Sequence, residues 1–423
     1  MKKIGLFVLA LISIASFAFA NGENESKDMS EDKIIIDTFK DLWPEYMMEA
    51  LEAAGLADKV EFRTTPQNQY ESKLKVTIAS GEVGDIICMD APNIAYYADL
   101  GALEPLDSYW DENDFADLVG SARQAMTWNG QIWAAPLNES NCVLYYNKAM
   151  FDEAGIVAAE GVDNAWTVDQ LLDAAKKLTK KNANGEVEVY GLMPQMFSID
   201  QKNEGMTYTQ MLWPWWFGAD IISPDGSTVD GYFNSPESKA ALQFYADLFN
   251  KHGVSPQTAM SNFFAGEKVA MWFNGPWMVG VWKNNFPEFY ESGNWAAMPL
   301  PQNVAAASNS GSWNLAVTAN SKNKELAFKV LQAITGSQGS AIYNERSGNL
   351  PARASVLAQT DMTAVPMNVI QEQLLKTSKA RPVTPVYPLI SEAFMNAYNA
   401  VAYGADVDEA FEEAVREMND ALR

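Results

Sequence analysis

The sequence predicts an α/β protein organised as two lobes. With 423 residues, the chain is longer than a single compact hydrophobic core usually supports. A hydrophobic content of 48% indicates a globular protein rather than a disordered one. Short apolar runs alternate with amphipathic segments along the chain, and this alternation is typical of α/β folds.

Three strands, each followed by a helix, are predicted in the first third of the chain. The predicted strands cover residues 33–39, 60–64 and 85–89, and the predicted helices cover residues 44–54, 70–80 and 93–100. Gly55, Gly81 and Gly101 follow these helices, as expected because glycine favours the left-handed conformation that ends many helices. The third strand is apolar on both faces, which is typical of a parallel strand covered on both sides.

The middle third is richer in helix, and further strands and helices follow it. Thr167 is a favourable N-cap for a helix over residues 168–178, and Pro236 suits the first turn of a long helix that ends at Asn250. The last predicted elements are a strand over 313–318, a helix over 324–334 and a final helix over 407–422 that Asp406 or a neighbouring residue caps.

The N-terminus has the pattern of a secretory signal peptide. Lys2 and Lys3 precede an apolar stretch over residues 4–15, and a small-residue pattern ends at Ala20, after which signal peptidase would cut. Cleavage there would leave a polar tether over residues 21–32. The alternative interpretation is an uncleaved membrane anchor, since the apolar run nearly reaches spanning length. No cysteine follows the run, so a lipid anchor is not expected.

The charge and the reactive residues exclude several classes of function. The formal net charge is −24, which disfavours nucleic acid and anionic membranes as partners but does not bear on a neutral ligand. The single histidine, His252, argues against Ser-His and Cys-His catalytic arrangements. Cys88 and Cys142 are too few for a zinc site, and no sequence motif points to a cofactor. Both cysteines lie in apolar runs and are expected to be buried thiols, with one disulfide as the alternative.

A series of short phrases carries a family resemblance. The phrases are SGEVGDII at residues 80–87, LGALEPLD at 100–107, GQIWAAP at 130–136, LYYNK at 144–148, FAGEKVAM at 264–271, GPW at 275–277, SGNLPAR at 347–353 and RPVTPVY at 381–387. In this order, over nearly the whole predicted mature chain, they resemble the family 1 extracellular solute-binding proteins of ABC transporters.

The resemblance implies a maltodextrin-binding-protein-like fold, the type II periplasmic-binding-protein architecture. Two discontinuous α/β lobes would be joined by crossing strands that act as a hinge. The first lobe would take residues 33–139 and 301–350, and the second would take 140–300 and 351–423. The resemblance further implies a monomer that delivers its ligand to the permease subunits of an importer.

The sequence also supplies the side chains that a sugar requires. A sugar offers hydroxyl-lined edges to carboxylates and amides, and flatter C–H faces to aromatic rings. Such residues follow the predicted strands, where open α/β sheets bind ligands. The candidate ligand-binding residues are Lys40, Asp41, Trp43, Asn68, Asp90, Asn138, Glu139, Trp215, Trp216, Asn274, Trp277, Trp313, Asn314, Arg381 and Tyr387.

Several candidates have an equally simple structural interpretation. Asp90 could cap the helix that follows it, and Glu139 could be an exposed loop charge. Trp277 could belong to the core, as could at least one ring of the cluster formed by Trp213, Trp215 and Trp216, because aromatic clusters bury large apolar areas. Arg381 could form a salt bridge between the lobes instead of contacting ligand.

Two other classes of function stay open on the sequence. A glycoside hydrolase would need two positioned carboxylates, and 54 acidic residues cannot exclude such a pair, although no catalytic motif is present. The same fold could instead bind a polyamine, a metal chelate or a phosphate ester, of which a cation suits the acidic candidates best. Use in chemosensing rather than transport is a further alternative.

Overall fold

The computed structural model describes residues 33–39, 43–258, 260 and 262–423. The predicted signal peptide and tether, and the candidates Lys40 and Asp41, lie outside the described residues. The side chains of Trp43 and Asn68 also lie outside them.

The strands and helices alternate along most of the described chain. The strands are β1 (Ile34–Phe39), β2 (Val60–Thr65), β3 (Ile86–Asp90), β4 (Thr127–Trp128), β5 (Gln131–Ile132), β6 (Ala135–Pro136), β7 (Val143–Asn147), β8 (Lys180–Lys181), β9 (Val187–Met193), β10 (Val269–Asn274), β11 (Trp295–Met298), β12 (Ser308–Asn309), β13 (Trp313–Val317) and β14 (Ser378–Lys379). The helices are α1 (Trp43–Ala53), α2 (Gln67–Ser80), α3 (Ile94–Asp99), α4 (Glu112–Ala116), α5 (Gly120–Met126), α6 (Lys148–Ala154), α7 (Val168–Leu178), α8 (Glu204–Gln210), α9 (Leu212–Trp216), α10 (Pro236–Asn250), α11 (Trp277–Asn285), α12 (Pro287–Ser292), α13 (Lys324–Thr335), α14 (Ser337–Ser347), α15 (Ala354–Leu357), α16 (Met367–Lys376), α17 (Tyr387–Ala402) and α18 (Val407–Ala421).

Two five-stranded sheets form the centres of two lobes. The first sheet has the order β2-β1-β3-β13-β6, with β1 parallel to β2 and β3, and β13 antiparallel to β3 and β6. The second has the order β11-β7-β10-β9-β8, with β9 parallel to β10, and β7 antiparallel to both β10 and β11. We call each sheet with the helices packed on it the first lobe and the second lobe.

Each lobe has its own apolar core, as the hydrophobic pattern requires. In the first lobe, the strands bury Ile36, Ile87 and Leu315 against α1 and α13. In the second lobe, the strands bury Leu144 and Phe273 against α7, α9, α10 and α17. Burial of this apolar surface is the main favourable contribution to folding of each lobe.

Local capping signals set several helix boundaries. The Thr167 hydroxyl accepts a hydrogen bond from the Gln170 amide while the Gln170 side chain accepts one from the Thr167 amide, which is a complete capping box. Pro236 occupies the first turn of α10, and Asp406 caps α18 through the amide of Glu409. These predicted helix starts are confirmed.

The chain crosses between the lobes in segments rich in buried polar side chains. Residues 137–142 connect β6 to β7, and residues 299–312 return from β11 to β13. The returning segment forms β12, which pairs in parallel with β14, and Glu139 forms an isolated backbone bridge with Leu350. Several passes of backbone are therefore hydrogen-bonded side by side, so a relative movement of the lobes must bend them together.

The structure confirms the predicted α/β class and adjusts some boundaries. The helix predicted over 93–100 is observed as α3, Ile94–Asp99, directly after a 3₁₀ turn over Ala91–Asn93 whose first turn accommodates Pro92. Cys88 and Cys142 are both free and buried, as expected. In the described part of the chain, no helix has the length and apolar character needed to cross a membrane.

Candidate functional site

Many of the predicted site residues lie where the two sheets approach one another. Strands β1, β2, β3 and β6 of the first sheet end at the same edge, because they run in parallel, and antiparallel β13 begins there. In the second sheet, β9 and β10 end, and β7 begins, at the edge that faces the first lobe. The connections between strand ends thus bring residues from distant parts of the sequence together.

Asp90 and Trp313 form the centre of the first-lobe edge. They are opposite each other across the β3–β13 ladder, at the end of one strand and the start of the other. The Trp313 ring is partly exposed and packs edge-on against Phe39, with centroids 4.4 Å apart. The Trp313 amide donates to Oδ1 of Asn138 over 3.0 Å, so Asn138 fixes the backbone that carries the ring. The neighbouring Asn314 is buried and donates to the Ser312 carbonyl over 2.9 Å.

Arg381 joins Asp90 to the second lobe. Its guanidinium donates from Nη2 to Oδ1 of Asp90 over 2.7 Å and from Nη1 to Oδ2 over 3.0 Å. The same Nη1 donates to Oε1 of Glu204 over 2.7 Å. Of the two interpretations of Arg381, the structure therefore shows the salt bridge between lobes. Asp90 makes no side-chain hydrogen bond to the helix that follows it, so the structure does not support the alternative that Asp90 caps that helix.

Glu204 is held by groups of the second lobe. It starts α8, and Ser391 of α17 donates to its Oε2 over 2.6 Å. The Tyr387 hydroxyl donates to its Oε1. Burial raises the pKa of Glu204, and the charge of Arg381 opposes that rise. Tyr387, a predicted ligand contact, is buried and acts here as a support for Glu204.

Trp277 occupies the second-lobe edge, directly after β10. Its ring is partly buried against the second-lobe core and lies over Gly275, where an added Cβ would come within 2.2 Å of the indole. Asn274 is buried, and its Oδ1 accepts from the Gly275 amide over 2.8 Å. Asn274 thus orients the backbone beneath the indole. A residue with a Cβ at position 275 would clash with the ring, so a glycine is required there.

The tryptophan cluster on α9 corrects part of the sequence-based site. Trp213 and Trp216 are fully buried in the second-lobe core, with ring centroids 5.1 Å apart. The Trp216 indole donates to the Ala307 carbonyl over 2.8 Å, so it anchors the returning crossing segment instead of facing a ligand. Trp215 is also buried, and Lys379 lies over its ring at 5.2 Å. Their burial makes these rings unavailable for stacking on a sugar in this arrangement.

Glu139 is fully buried rather than an exposed loop charge. Both of its carboxylate oxygens lie 3.0 Å from the Ser310 hydroxyl, and the Ser140 amide donates to Oε2 over 3.1 Å. Burial raises the pKa of Glu139 to about 7, against the opposing effects of those hydrogen bonds and of Arg381. Glu139 therefore lies buried within the segment that crosses between the lobes.

Sequence reasoning missed two acidic residues at this interface, Glu204 and Glu71. Glu71 lies in the first turns of α2 and accepts from the Tyr97 hydroxyl over 2.6 Å. Burial raises its pKa, and the charges of Asp90 and Glu204 raise it further. The position of Glu71 shortly after a parallel strand could have suggested it. No local signal singles out Glu204, whose partners are all distant in sequence.

Taken together, the facing edges of the two lobes carry both hydrogen-bond acceptors and partly exposed indoles. Carboxylates come from Glu71, Asp90 and Glu204, and aromatic faces come from Trp277 and Trp313. Among the described residues, no group of three or more histidine, cysteine, aspartate or glutamate side chains is arranged to hold a metal ion. The arrangement is suited to binding hydroxyl groups.

Comparison with known proteins decides the family. The sequence model of the bacterial extracellular solute-binding proteins matches residues 37–341, which is well over half of the chain. The chain belongs to this family. The solute-binding proteins bind and carry solutes, and their fold accounts for the two lobes described above.

Individual relatives agree with this assignment. A solute-binding protein from Thermotoga lettingae, solved with α-D-tagatose, superposes with a TM-score of 0.78 at 27% identity, over 93% of this chain and all 100% of that one. A maltotriose-binding protein from Thermus thermophilus has the same fold, with a TM-score of 0.71 at 21% identity, over 92% of this chain and 100% of that one. The mannitol-binding protein of Pseudomonas aeruginosa is 24% identical over 82% of this chain and 80% of its own length. The predicted family and fold are therefore confirmed.

Proposed function

We propose that this protein is the substrate-binding component of an ABC importer and captures a sugar or an oligosaccharide between its lobes. The observation that carries the proposal is that Trp313 at the first-lobe edge and Trp277 at the second-lobe edge are both partly exposed, with Asp90 opposite Trp313 across the β3–β13 ladder. An indole covers the C–H face of a sugar ring, while carboxylate oxygens accept from its hydroxyl groups. Relatives named for mannitol, lactose and maltotriose support this ligand class.

The proposed mechanism is closure of the hinge around the ligand. The lobes would comprise residues 33–139 with 301–350, and 140–300 with 351–423, and the hydrogen-bonded crossing segments would bend as the lobes move. The closed form would deliver the ligand to the permease subunits. The protein would act as a monomer without catalysis, cofactor or nucleic-acid partner.

Export would place the protein in the periplasm or outside the cell. The pattern that ends at Ala20 would be cut by signal peptidase, and residues 21–32 would then form a tether. The family description as extracellular supports this location.

A thermal-shift screen tests the proposal. The panel would contain D-tagatose, mannitol, lactose and maltotriose, with spermidine as the cationic rival that the carboxylates Glu71, Asp90 and Glu204 would favour. A ligand that binds only the folded state raises its apparent stability, so a sugar at about 1 mM with a micromolar dissociation constant should raise the thermal midpoint by several degrees.

The outcomes separate the competing functions. Stabilisation by one or more saccharides, with a dissociation constant near micromolar by calorimetry, would support sugar capture. Stabilisation by spermidine alone would overturn the sugar assignment while keeping the solute-binding role. Release of monosaccharide from maltotriose or lactose during incubation would overturn the non-catalytic role.

A further inference from the structure

Arg381 is shared by two carboxylates that come from different lobes. Asp90 stands at the end of β3 in the first lobe, and Glu204 begins α8 in the second. A single guanidinium nitrogen, Nη1, donates to both of them, over 3.0 Å and 2.7 Å. The Arg381 side chain is only 3% exposed, so the contact is shielded from solvent.

Groups other than Arg381 hold the Glu204 side chain and the Asp90 backbone. Glu204 accepts from Ser391 over 2.6 Å and from the Tyr387 hydroxyl, and both donors belong to α17 of the second lobe. Asp90 is held by the β3 backbone, which is paired with Trp313 in the first lobe. By binding both carboxylates, Arg381 therefore holds Asp90 of the first lobe close to Glu204 of the second lobe.

The guanidinium makes one further contact within the second lobe. Besides the two carboxylates, the ring of Tyr208 lies 5.0 Å from its central carbon. A buried cation with bidentate carboxylate geometry is stable only while its partners stay in place, because removal of one partner leaves an uncompensated buried charge. Separation of the lobes would withdraw either Asp90 or Glu204 from Arg381.

We propose that Arg381 is a positioning residue that couples lobe closure to the orientation of Asp90, with Glu204 as its second-lobe anchor. Arg381 stabilises the closed arrangement before any sugar contributes and presents the Asp90 carboxylate in one plane, so that a sugar hydroxyl meets a fixed acceptor. The inference rests on the proposed function for its ligand, but its effect on closure needs no ligand. The contacts of Arg381 with Asp90 and Glu204 thus shift the equilibrium between open and closed lobes toward the closed form before a ligand binds.

Distance measurements between the lobes test this coupling. Val76 on α2 and Val157 after α6 are 66% and 83% exposed, so Val76→Cys with Val157→Cys places one spin label on each lobe. The native Cys88 and Cys142 are buried and should stay unlabelled. Double electron–electron resonance on the full-length labelled protein, without sugar, gives the ratio of short to long distances.

Glu204→Gln removes the second-lobe charge while keeping a side chain that Ser391 and Tyr387 can still contact. We expect it to lower the ratio of closed to open molecules by about tenfold or more, because one charge partner of a buried pair is lost. Asp90→Asn, which acts from the first lobe, should give the same change. The matched control is Glu104→Gln, since Glu104 pairs with Lys324 over 2.6 Å entirely within the first lobe.

Two results would overturn the proposal. One is a distance distribution in Glu204→Gln and Asp90→Asn that equals that of the parent protein. The other is an equal change in Glu104→Gln, which would show a general effect of removing charge. Because the samples contain no sugar, failure of the sugar screen leaves this test intact, and failure of this test leaves sugar binding intact.

Discussion

The Ser310 hydroxyl lies 3.0 Å from both carboxylate oxygens of Glu139. The two residues belong to crossing segments that run in opposite directions between the lobes, and the Glu139 backbone also bridges to Leu350 in a third segment. A single buried residue thus contacts three segments that run between or beside the lobes. Burial raises its pKa from the ordinary value of 4.5 to about 7, so it can hold a proton under mildly acidic conditions.

This raised pKa predicts a pH dependence of stability. Between about pH 4.5 and pH 7, Glu139 is deprotonated in the unfolded chain but still protonated in the folded one. The folded state then binds more protons, so its stability falls as the pH rises through this window and levels off above it. Glu139→Gln removes this loss, and we expect the free energy of unfolding of the variant, relative to the parent, to rise by roughly 2–3 kcal/mol between pH 5 and pH 8.

Guanidinium denaturation followed by tryptophan fluorescence at the two pH values measures the difference. Ser310→Ala serves as a companion variant, because loss of the hydroxyl that donates to Glu139 should raise the pKa of Glu139 further and extend the fall in stability to higher pH. A parent protein and Glu139→Gln variant with the same dependence on pH would show that Glu139 does not titrate in this range.

Trp277 gives a prediction about affinity. Its indole is partly exposed at the second-lobe edge and packs against the second-lobe core. Replacement by alanine should therefore weaken binding of the sugar found in the thermal screen by more than about tenfold, while the thermal midpoint moves little. Isothermal titration calorimetry and a thermal melt of the same sample give both quantities.

Trp216→Ala is the matched control for the same type of substitution. Trp216 is fully buried and donates to Ala307, so its truncation should cost about 3–5 kcal/mol of stability and leave the affinity of the folded protein nearly unchanged. The opposite pattern, with stability lost at Trp277 and affinity lost at Trp216, would exchange the roles assigned to the two rings.

Gly275 predicts how the Trp277 ring is positioned. A Cβ added at Gly275 would lie 2.2 Å from two ring carbons of Trp277, so Gly275→Ala must push the indole from its place. We expect a loss of sugar affinity comparable to that of Trp277→Ala, about tenfold, although the indole itself is retained. The control is Gly280→Ala. Gly280 lies on α11, the helix that begins with Trp277, and no atom lies within 4 Å of an added Cβ there, so this variant should bind sugar as the parent protein does. Equal sugar affinities for the parent, Gly275→Ala and Gly280→Ala would show that the position of the Trp277 indole does not affect ligand binding.

The elements that sequence reasoning predicted well are those governed by local interactions. The capping box of Thr167 and Gln170, the proline that opens α10 and the Asp406 cap all act within one helical turn. Because these signals need no knowledge of the rest of the fold, they are readable from neighbouring residues alone. The resemblance to a family then supplied the arrangement of the elements.

The site was predicted less completely because its contacts are distant in sequence. Arg381 reaches Asp90 across 291 residues and Glu204 across 177, and no local pattern pairs these residues. Trp216 and Trp277 are the same residue type near helix ends, yet one is in the core and the other at the edge. Every residue of helix α9 is buried, so the helix has no polar face. Without a polar face, its sequence does not indicate which of its rings belong to the core and which could face a ligand.

The two cysteines predict resistance to thiol reagents in the folded protein. Cys88 lies on β3 in the first core, and Cys142 precedes β7 in the second, so the thiols are separated by the lobe boundary. Burial raises the pKa of both, that of Cys142 to about 12. Because the thiolate is the reactive form, neither thiol should react with Ellman's reagent at neutral pH without unfolding.

In denaturing guanidinium chloride, Ellman's reagent should titrate two thiols per chain, since no disulfide joins them. The rate of reaction under native conditions then reports the opening of each core, and a sugar that holds the lobes closed should slow it at Cys142, near the crossing segments, more than at Cys88. Single variants, Cys88→Ala and Cys142→Ala, assign the two rates. Rapid native reaction of one thiol, or fewer than two thiols in denaturant, would contradict the buried, unpaired state of these cysteines.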